Sequence, residues 1–444
     1  MTGALRVTGA GSAAGRRLRT RIAGRLERVL DRATESEARR LVERVRRGGD
    51  AALVALAREL DGAHARTAAE LRLEIRPEDR SGRLLTVAER RAVERAIAAA
   101  ERVHAAQAEG ERGVELVVGG LAVREIVRPL VRAGVYVPGG RAAYPSTAIL
   151  AVVPAQVAGV REVVVATPAR GWSASPLLRF ALARLGVEEI WGLGGAHAIA
   201  ALAYGTATVA RVDALVGPGN AWVTAAKRLV AGRVAVDGLM GPSEVVVVAG
   251  DGADPDWIAA DLLAQAEHDP SASALLVTGS RRLARAVAER VEARLDGLPT
   301  AAVARESLRG FGGALVVDGL EAAVELVDEL APEHLQLVGR EVEAMAGRFV
   351  SAGAIVVGAR VPEVLGDYVA GPSHVLPTCG SARFASGLSV RTFQRRFHRL
   401  EALPDGRGEP GALARMAGDA ALLAAAEGLP AHAAAAALRA EAER

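Results

Sequence analysis

Glu333 and His334 stand side by side in this chain. A carboxylate and an imidazole can each accept a proton near neutral pH once their surroundings tune them. The pair follows Pro332 and leads into the β-rich run HLQLV. Neighbours in a regular strand point to opposite faces, so both serve one site only if the proline-led entry is irregular; otherwise they are an exposed loop pair. Gln265 and His268 close the stretch DPDWIAADLLAQAEHDP that begins at Asp254. There Asp254 caps a helix, Pro255 suits its first position, and Asp269-Pro270 ends it. Three residues apart, an amide oxygen and an imidazole leave one face and can hold a divalent metal. The same pair also reads as a polar helix end facing water, because glutamine is an uncommon ligand. Asp367, in the loop segment Gly366-Asp367-Tyr368, is a further oxygen donor.

Other reactive side chains have less company. His374 lies in a Gly/Pro-rich loop without a partner in sequence and reads as structural. Glu427 and His432 flank Gly428-Leu429-Pro430 at a helix–helix junction. His64 and His104 read as surface residues. Cys379 is the one cysteine, which excludes a disulfide framework or a thiolate zinc site within one chain. A nucleophilic role for it lacks an adjacent base.

The elements that must position these groups change character along the chain. The glycines of residues 9–15 miss the dinucleotide spacing, and an arginine-rich helix follows, so this region reads as a flexible lead. Helices dominate to about residue 110. Thr34-x-x-Glu37 and Thr86-x-x-Glu89 have the capping-box pattern, Gly48-Gly49 is a helix stop, and Asp50 is the cap of a short helix after it. Val114 to Val127 is expected to form a hairpin through Gly119-Gly120. From Ala133 strands and helices alternate, and the alternation restarts at Val245. This predicts an α/β protein with two Rossmann-like parallel-sheet domains, a helical N-terminal region and a small helical C-terminal domain. After about residue 388 only helices are expected. The loops Pro138-Gly139-Gly140, Gly194-Gly195 and Gly217-Pro218-Gly219-Asn220 each follow a strand and open a helix. Their amides suit a dinucleotide or phosphate, and such turns are also glycine-rich for steric reasons alone.

Composition narrows the function classes. The chain has 444 residues, 50% of them hydrophobic and 3% aromatic, so its cores are aliphatic. A net charge of +3 with acids and bases interspersed argues against a nucleic-acid surface. The N-terminus lacks the apolar core of a signal peptide, and the apolar run from Thr147 to Val160 is too short to span a bilayer. A soluble cytoplasmic protein, without nucleic-acid or membrane partners, is expected.

Ordered segments along nearly the whole chain carry a resemblance: GVYVPGGRAAYPST, GGAHAIAALAYGT, VGPGNAWV, GPSEVVVVA, DLLAQAEHDP, APEHL, GDYVAGPSHVLPT, ARFASGLSV and AAAEGLPAH. The chain resembles the L-histidinol dehydrogenase family. The resemblance implies oxidation of L-histidinol to L-histidine through a bound aldehyde with two NAD+. It implies zinc on Gln265, His268, Asp367 and His432, and proton transfer by Glu333 and His334. It further implies substrate contacts by Ser243, Gln265, His268, His334, Asp367, Glu427 and His432, and NAD contacts by Tyr136 and Asn220. A homodimer with shared active sites is implied. The corresponding domains are an extension at 1–26, an α/β domain of 27–134 with 243–388 carrying the metal and catalytic residues, an NAD-side α/β domain at 135–242, and a helical domain at 389–444 swapped onto the partner. Relatives that oxidise other small polar alcohols are the nearest alternative; the retained Glu427, Ser243 and Glu333–His334 pair speak against it.

One position departs from the family pattern. His197 stands in GGAHAIAA where the family usually has a glutamine that touches NAD. An imidazole does not reproduce the in-plane donor and acceptor of an amide. The expected outcome is weakened or pH-dependent NAD+ binding, seen as a KM for NAD+ that is high or varies between acidic and alkaline pH; an ordinary, flat KM overturns it.

Overall fold

The run Val245–Val248 has no polar residue, so it needs cover on both faces. Alternation supplies it. Val245, Val247 and Ala249 enter one core with Ile258, Leu262 and Val287. Val246 and Val248 enter another with Leu18, Ile22 and Val327. This strand lies at the centre of a six-stranded, all-parallel sheet. In the computed structural model, which describes residues 3–139, 143–403 and 409–442, the spatial order is Val7–Gly9, Gly313–Val316, Ser273–Thr278, Glu244–Ala249, His334–Val338 and Ala354–Val357.

A second six-stranded sheet repeats the plan in the order Arg72–Leu73, Glu189–Gly192, Glu162–Thr167, Arg132–Tyr136, Ala214–Val216 and Ala235–Val236. Its pairs are parallel except at the Arg72–Leu73 edge. In each sheet the strand order reverses beside the first central strand, the doubly wound topology expected from the alternating pattern. Helix Pro145–Val157 is apolar on every side and mostly buried, as a core helix must be. Both sheets belong to one compact unit, comprising the described residues up to Ala105 and Leu130–Phe393. A second unit holds Ala106–Pro129 and the chain from Gln394 on. It contains an antiparallel sheet of Gln394–Ala402, Leu121–Pro129 and Glu115–Val118, and the helices Ala412–Ala426 and Pro430–Ala442. Among the described residues no helix is long and apolar enough to cross a membrane.

Several local expectations hold. Asp254 caps the helix Pro255–Ala266. Thr86 and Glu89 form the reciprocal capping box, with N–H bonds of 2.8 and 3.2 Å. The hairpin turns at Gly119-Gly120. Others are corrected. Residues 9–15 are not a flexible lead: Val7–Gly9 adds the edge strand and Ser12 caps the helix Ala13–Ala23, and beyond it Arg25 is fully buried. Asp31, not Thr34, caps the helix Arg32–Asp61; the expected break comes at Gly49, whose φ of 51° divides that span into two helices, but Asp50 turns its side chain to Thr208 and does not cap the second. The long helix packs on Gly195–Tyr204 and Ala221–Val230, which cover the Tyr136 sheet. Strand Gln394–Ala402 stands where only helices were expected, because its partner is the distant hairpin. His104 is buried, not at the surface. Gly140 and the loop from Gly406 lie in part outside the described residues.

Lys227, the only lysine in the chain, sits in the interior. Its ammonium donates to the Gly217 carbonyl and, at 2.6 Å, to Asp237 Oδ1. Asp237 Oδ2 accepts the Gly217 N–H at 2.7 Å. The side chains of Lys227 and Asp237 are 2% and 1% exposed, so one ion pair clamps both polar atoms of a glycine at φ 106°. Lys227→Met strands the Asp237 charge and is expected to lower the unfolding free energy by about 3–5 kcal/mol in urea titrations.

Candidate active site

The site is built at the amino ends of the Glu244-sheet strands. Val245 lies opposite His334 in parallel register, so Ser243 and Glu244 meet Glu333 where the two strands begin. A helix between parallel strands runs against them and returns the chain to that same edge. Helix Pro255–Ala266 therefore delivers Gln265 and His268 there, ahead of strand Ser273–Thr278. Ala331, at φ 45°, makes the sharp turn from helix Leu320–Leu330 into Pro332-Glu333-His334. This strained turn is the irregular entry that lets both neighbours face one cavity. The cavity has a volume of about 1430 Å³ and is lined by Ser243, His268, Glu333, His334, Asp367 and His374 on one side.

Backbone carbonyls set the imidazole tautomers. Nδ1 of His334 lies 3.2 Å from the Glu244 carbonyl, which only accepts. That nitrogen donates to the carbonyl, which leaves Nε2, 3.7 Å from Asp367 Oδ1, as the one open to the cavity. His374 follows the same logic: Nδ1 donates to the Asp367 carbonyl at 3.0 Å, and Nε2 accepts from the Thr147 hydroxyl at 3.1 Å. Burial pulls the His374 pKa down against the opposing pull of Asp367. The Glu333 carboxylate accepts the Ser243 hydroxyl and, at 2.8 Å, the Glu244 N–H. Burial nonetheless pushes its pKa up to about 8, helped by the charges of Glu244 and Asp367.

A third carboxylate, Glu363, completes the cluster. Its Oε1 lies 3.5 Å from His334 Nδ1, and burial with the neighbouring acids raises its pKa to about 7. His334, Glu363 and Asp367 offer donor atoms within 4.8 Å of one another. The sequence held a signal for Glu363 that went unused: it precedes Asp367 by four residues, one helical turn.

Gln265 and His268 offer donor atoms that a metal could use. Both amide atoms of Gln265 are fully buried without a protein partner, which a structural glutamine rarely tolerates. The water-facing reading of that helix end is thereby overturned for Gln265, while His268 is exposed. His268 donates Nδ1–H to the Gln265 carbonyl at 3.2 Å and leaves Nε2 free, the tautomer in which metal-binding histidines are held. Asp367 adds a carboxylate at the same cavity. Glu427 and His432 belong to the second unit, where both are exposed beside the junction of its two helices.

The Tyr136 sheet lines the rest of the cavity with the carboxyl ends of its strands and the loops Gly194-Gly195 and Pro218-Gly219-Asn220. The Tyr136 hydroxyl accepts the Gly195 N–H at 3.1 Å, and burial raises its pKa to about 12, so its own proton stays available. Asn220 spends its amide oxygen on the Val223 N–H as helix cap. His197 is buried at the first turn of helix Gly195–Tyr204, with Nε2 2.8 Å from Asp61 Oδ2. The same Asp61 oxygen accepts the Gly194 N–H at 3.1 Å. Burial pushes the Cys379 thiol up to about 12, which disfavours the thiolate that a nucleophile needs.

A doubly wound cavity with strand-end glycine loops on one wall and paired proton acceptors on the other defines an α/β enzyme. The histidinol dehydrogenase family model matches residues 26–440. The histidinol dehydrogenase of Moorella thermoacetica is 52% identical over 329 residues, 74% of this chain and 76% of that one. That of a Synechococcus strain is 44% identical over 416 residues, 92% and 94% of the two chains. The crystal structure of histidinol dehydrogenase from Elizabethkingia anophelis aligns with a TM-score of 0.87 at 27% identity, covering 100% of this chain and 99% of that one. The chain belongs to the histidinol dehydrogenase family and is an oxidoreductase.

The raised Glu333 pKa has a signed consequence. Only the deprotonated carboxylate accepts a proton, so a step that uses it as base rises with pH through about 8 and levels off above. Rates of aldehyde oxidation across neutral and alkaline pH are expected to show that limb, and Glu333→Gln is expected to lose it.

Proposed function

We propose that the chain oxidises L-histidinol to L-histidine, the last step of histidine biosynthesis, in the cytoplasm, through a bound L-histidinaldehyde. The observation that carries this reading is the pair of proton acceptors at one cavity, His334 with a free Nε2 and Glu333 with a raised pKa. In the first half, His334 Nε2 takes the hydroxyl proton as the carbinol hydride passes to NAD+. In the second, Glu333 takes a proton from the water that adds to the aldehyde, and the hydrate gives its hydride to a second NAD+. One histidinol cation, one water and two NAD+ become one zwitterionic histidine, two NADH and three protons.

Gln265, His268, Asp367 and His432 would hold one zinc ion per subunit, which supplies a Lewis-acid anchor for the substrate's amine and imidazole. Ser243, His334 and Glu427 would complete the substrate contacts, an anionic glutamate suiting the cationic substrate. Tyr136 and Asn220 would contact NAD. The homodimer shares its sites, with Glu427 and His432 supplied by a second copy through the swapped tail. Leu422, Leu423 and Leu438, exposed on the tail helices, support that assembly.

The test is the yield of NADH per L-histidinol with purified, zinc-loaded protein. Two NADH with histidine as product are expected. One NADH with released aldehyde means the second half-reaction is missing, and none from histidinol moves the substrate to another polar alcohol.

A further inference from the structure

Glu244 follows Ser243 at the head of the central strand and is 4% exposed. A buried carboxylate needs both a counter-charge and donors for its lone pairs. Arg25 supplies the charge. It is fully buried, donates to Glu244 Oε1, and is itself fixed by the carbonyls of Ile22 at 3.3 Å and Ser271 at 3.2 Å. The Cys379 N–H adds a second donor to Oε1 at 2.6 Å. The other oxygen, Oε2, accepts the backbone N–H of Glu333 at 3.3 Å. The bond is reciprocated, since the Glu244 N–H donates to the Glu333 carboxylate at 2.8 Å. Each acid thus holds the other's backbone across the two strand ends, and the Glu244 carbonyl also holds His334.

We infer that the Arg25–Glu244 ion pair is the positioning device for Glu333 in the aldehyde half of the reaction. The inference rests on the reading of Glu333 as the base of that step. Both bases touch residue 244, through different atoms. His334 depends on the main-chain carbonyl, which survives any side-chain change. The Glu333 backbone depends on the Glu244 carboxylate, and that carboxylate depends on Arg25. A glutamine cannot stand in, because Oε1 and Oε2 must both accept and an amide offers one oxygen. A loss here therefore separates the two half-reactions, which a general loss of stability does not.

The experiment measures both steps in zinc-loaded holoenzyme: histidinol oxidation to the aldehyde, and oxidation of supplied histidinaldehyde. For Glu244→Gln the aldehyde step is expected to fall by about 100-fold, the order that an ångström of misplacement costs, while alcohol oxidation stays near wild type. Histidinaldehyde then leaks out, and the NADH yield per histidinol drops from two toward one. The double variant Arg25→Met with Glu244→Gln removes both charges together. It is expected to stay folded with the same split should the single variant misfold. An unchanged aldehyde step in a folded variant, or an alcohol step that falls as far as the aldehyde step, overturns the inference. Glu333→Gln run alongside separates the two failures. If it spares the aldehyde step, the reading of Glu333 as base fails; if it abolishes that step while Glu244→Gln spares it, the positioning role alone fails.

Discussion

The parallel register that sets Val245 against His334 is the constraint on which the site depends. It places Ser243 and Glu244 at the height of Glu333, so hydroxyl, carboxylate and amide groups from two segments meet without any loop having to reach across. A slip by one residue would turn every side chain of the strand to the other face. The valine run looks alike after such a slip, so the register is held at the strand heads, where Glu244 and Glu333 each accept the other's backbone N–H.

That edge is unusual for a doubly wound sheet. Ligands normally sit at the carboxyl ends of the strands. The Tyr136 sheet obeys this, presenting its glycine loops and helix N-termini to the cavity. The Glu244 sheet presents its amino ends instead, where the returning helix Pro255–Ala266 and the turn at Ala331 also arrive. The cavity therefore has two walls of different character. One is rich in backbone N–H groups and suits anionic phosphates. The other gathers imidazoles and carboxylates and suits a cation and the protons of the reaction.

The acidic wall would be untenable without compensation. Glu244, Glu333, Glu363 and Asp367 lie close together with little solvent. Arg25 neutralises Glu244 directly, whereas the carboxyls of Glu333 and Glu363 have their pKa values raised. This wall consequently combines one acid paired with a buried arginine and two acids, Glu333 and Glu363, poised to change protonation. The Lys227–Asp237 pair does similar structural work at the other wall, fixing Gly217 at the head of the loop that lines the cavity.

What the sequence determined by itself is local. Asp254 with Pro255, the Thr86–Glu89 box, the Gly119-Gly120 hairpin and the two αβ alternations were legible because caps, turns and hydrophobic period act over a few residues. Residue type and spacing picked out Glu333, His334, Gln265, His268 and Asp367 as candidates, and the resemblance motifs added the roles expected of them. Tertiary structure alone decided the rest. Arg25 was one arginine among many in an arginine-rich stretch until it met Glu244, 219 residues away. His197 acquired its partner Asp61 across 136 residues, and strand Gln394–Ala402 had no visible reason to be a strand until it paired with Leu121–Pro129. The orphaned amide of Gln265 is likewise a property of burial and not of spacing. A buried charge or an edge strand is stabilised by a partner that the chain's own neighbourhood does not contain, so no local pattern can announce it.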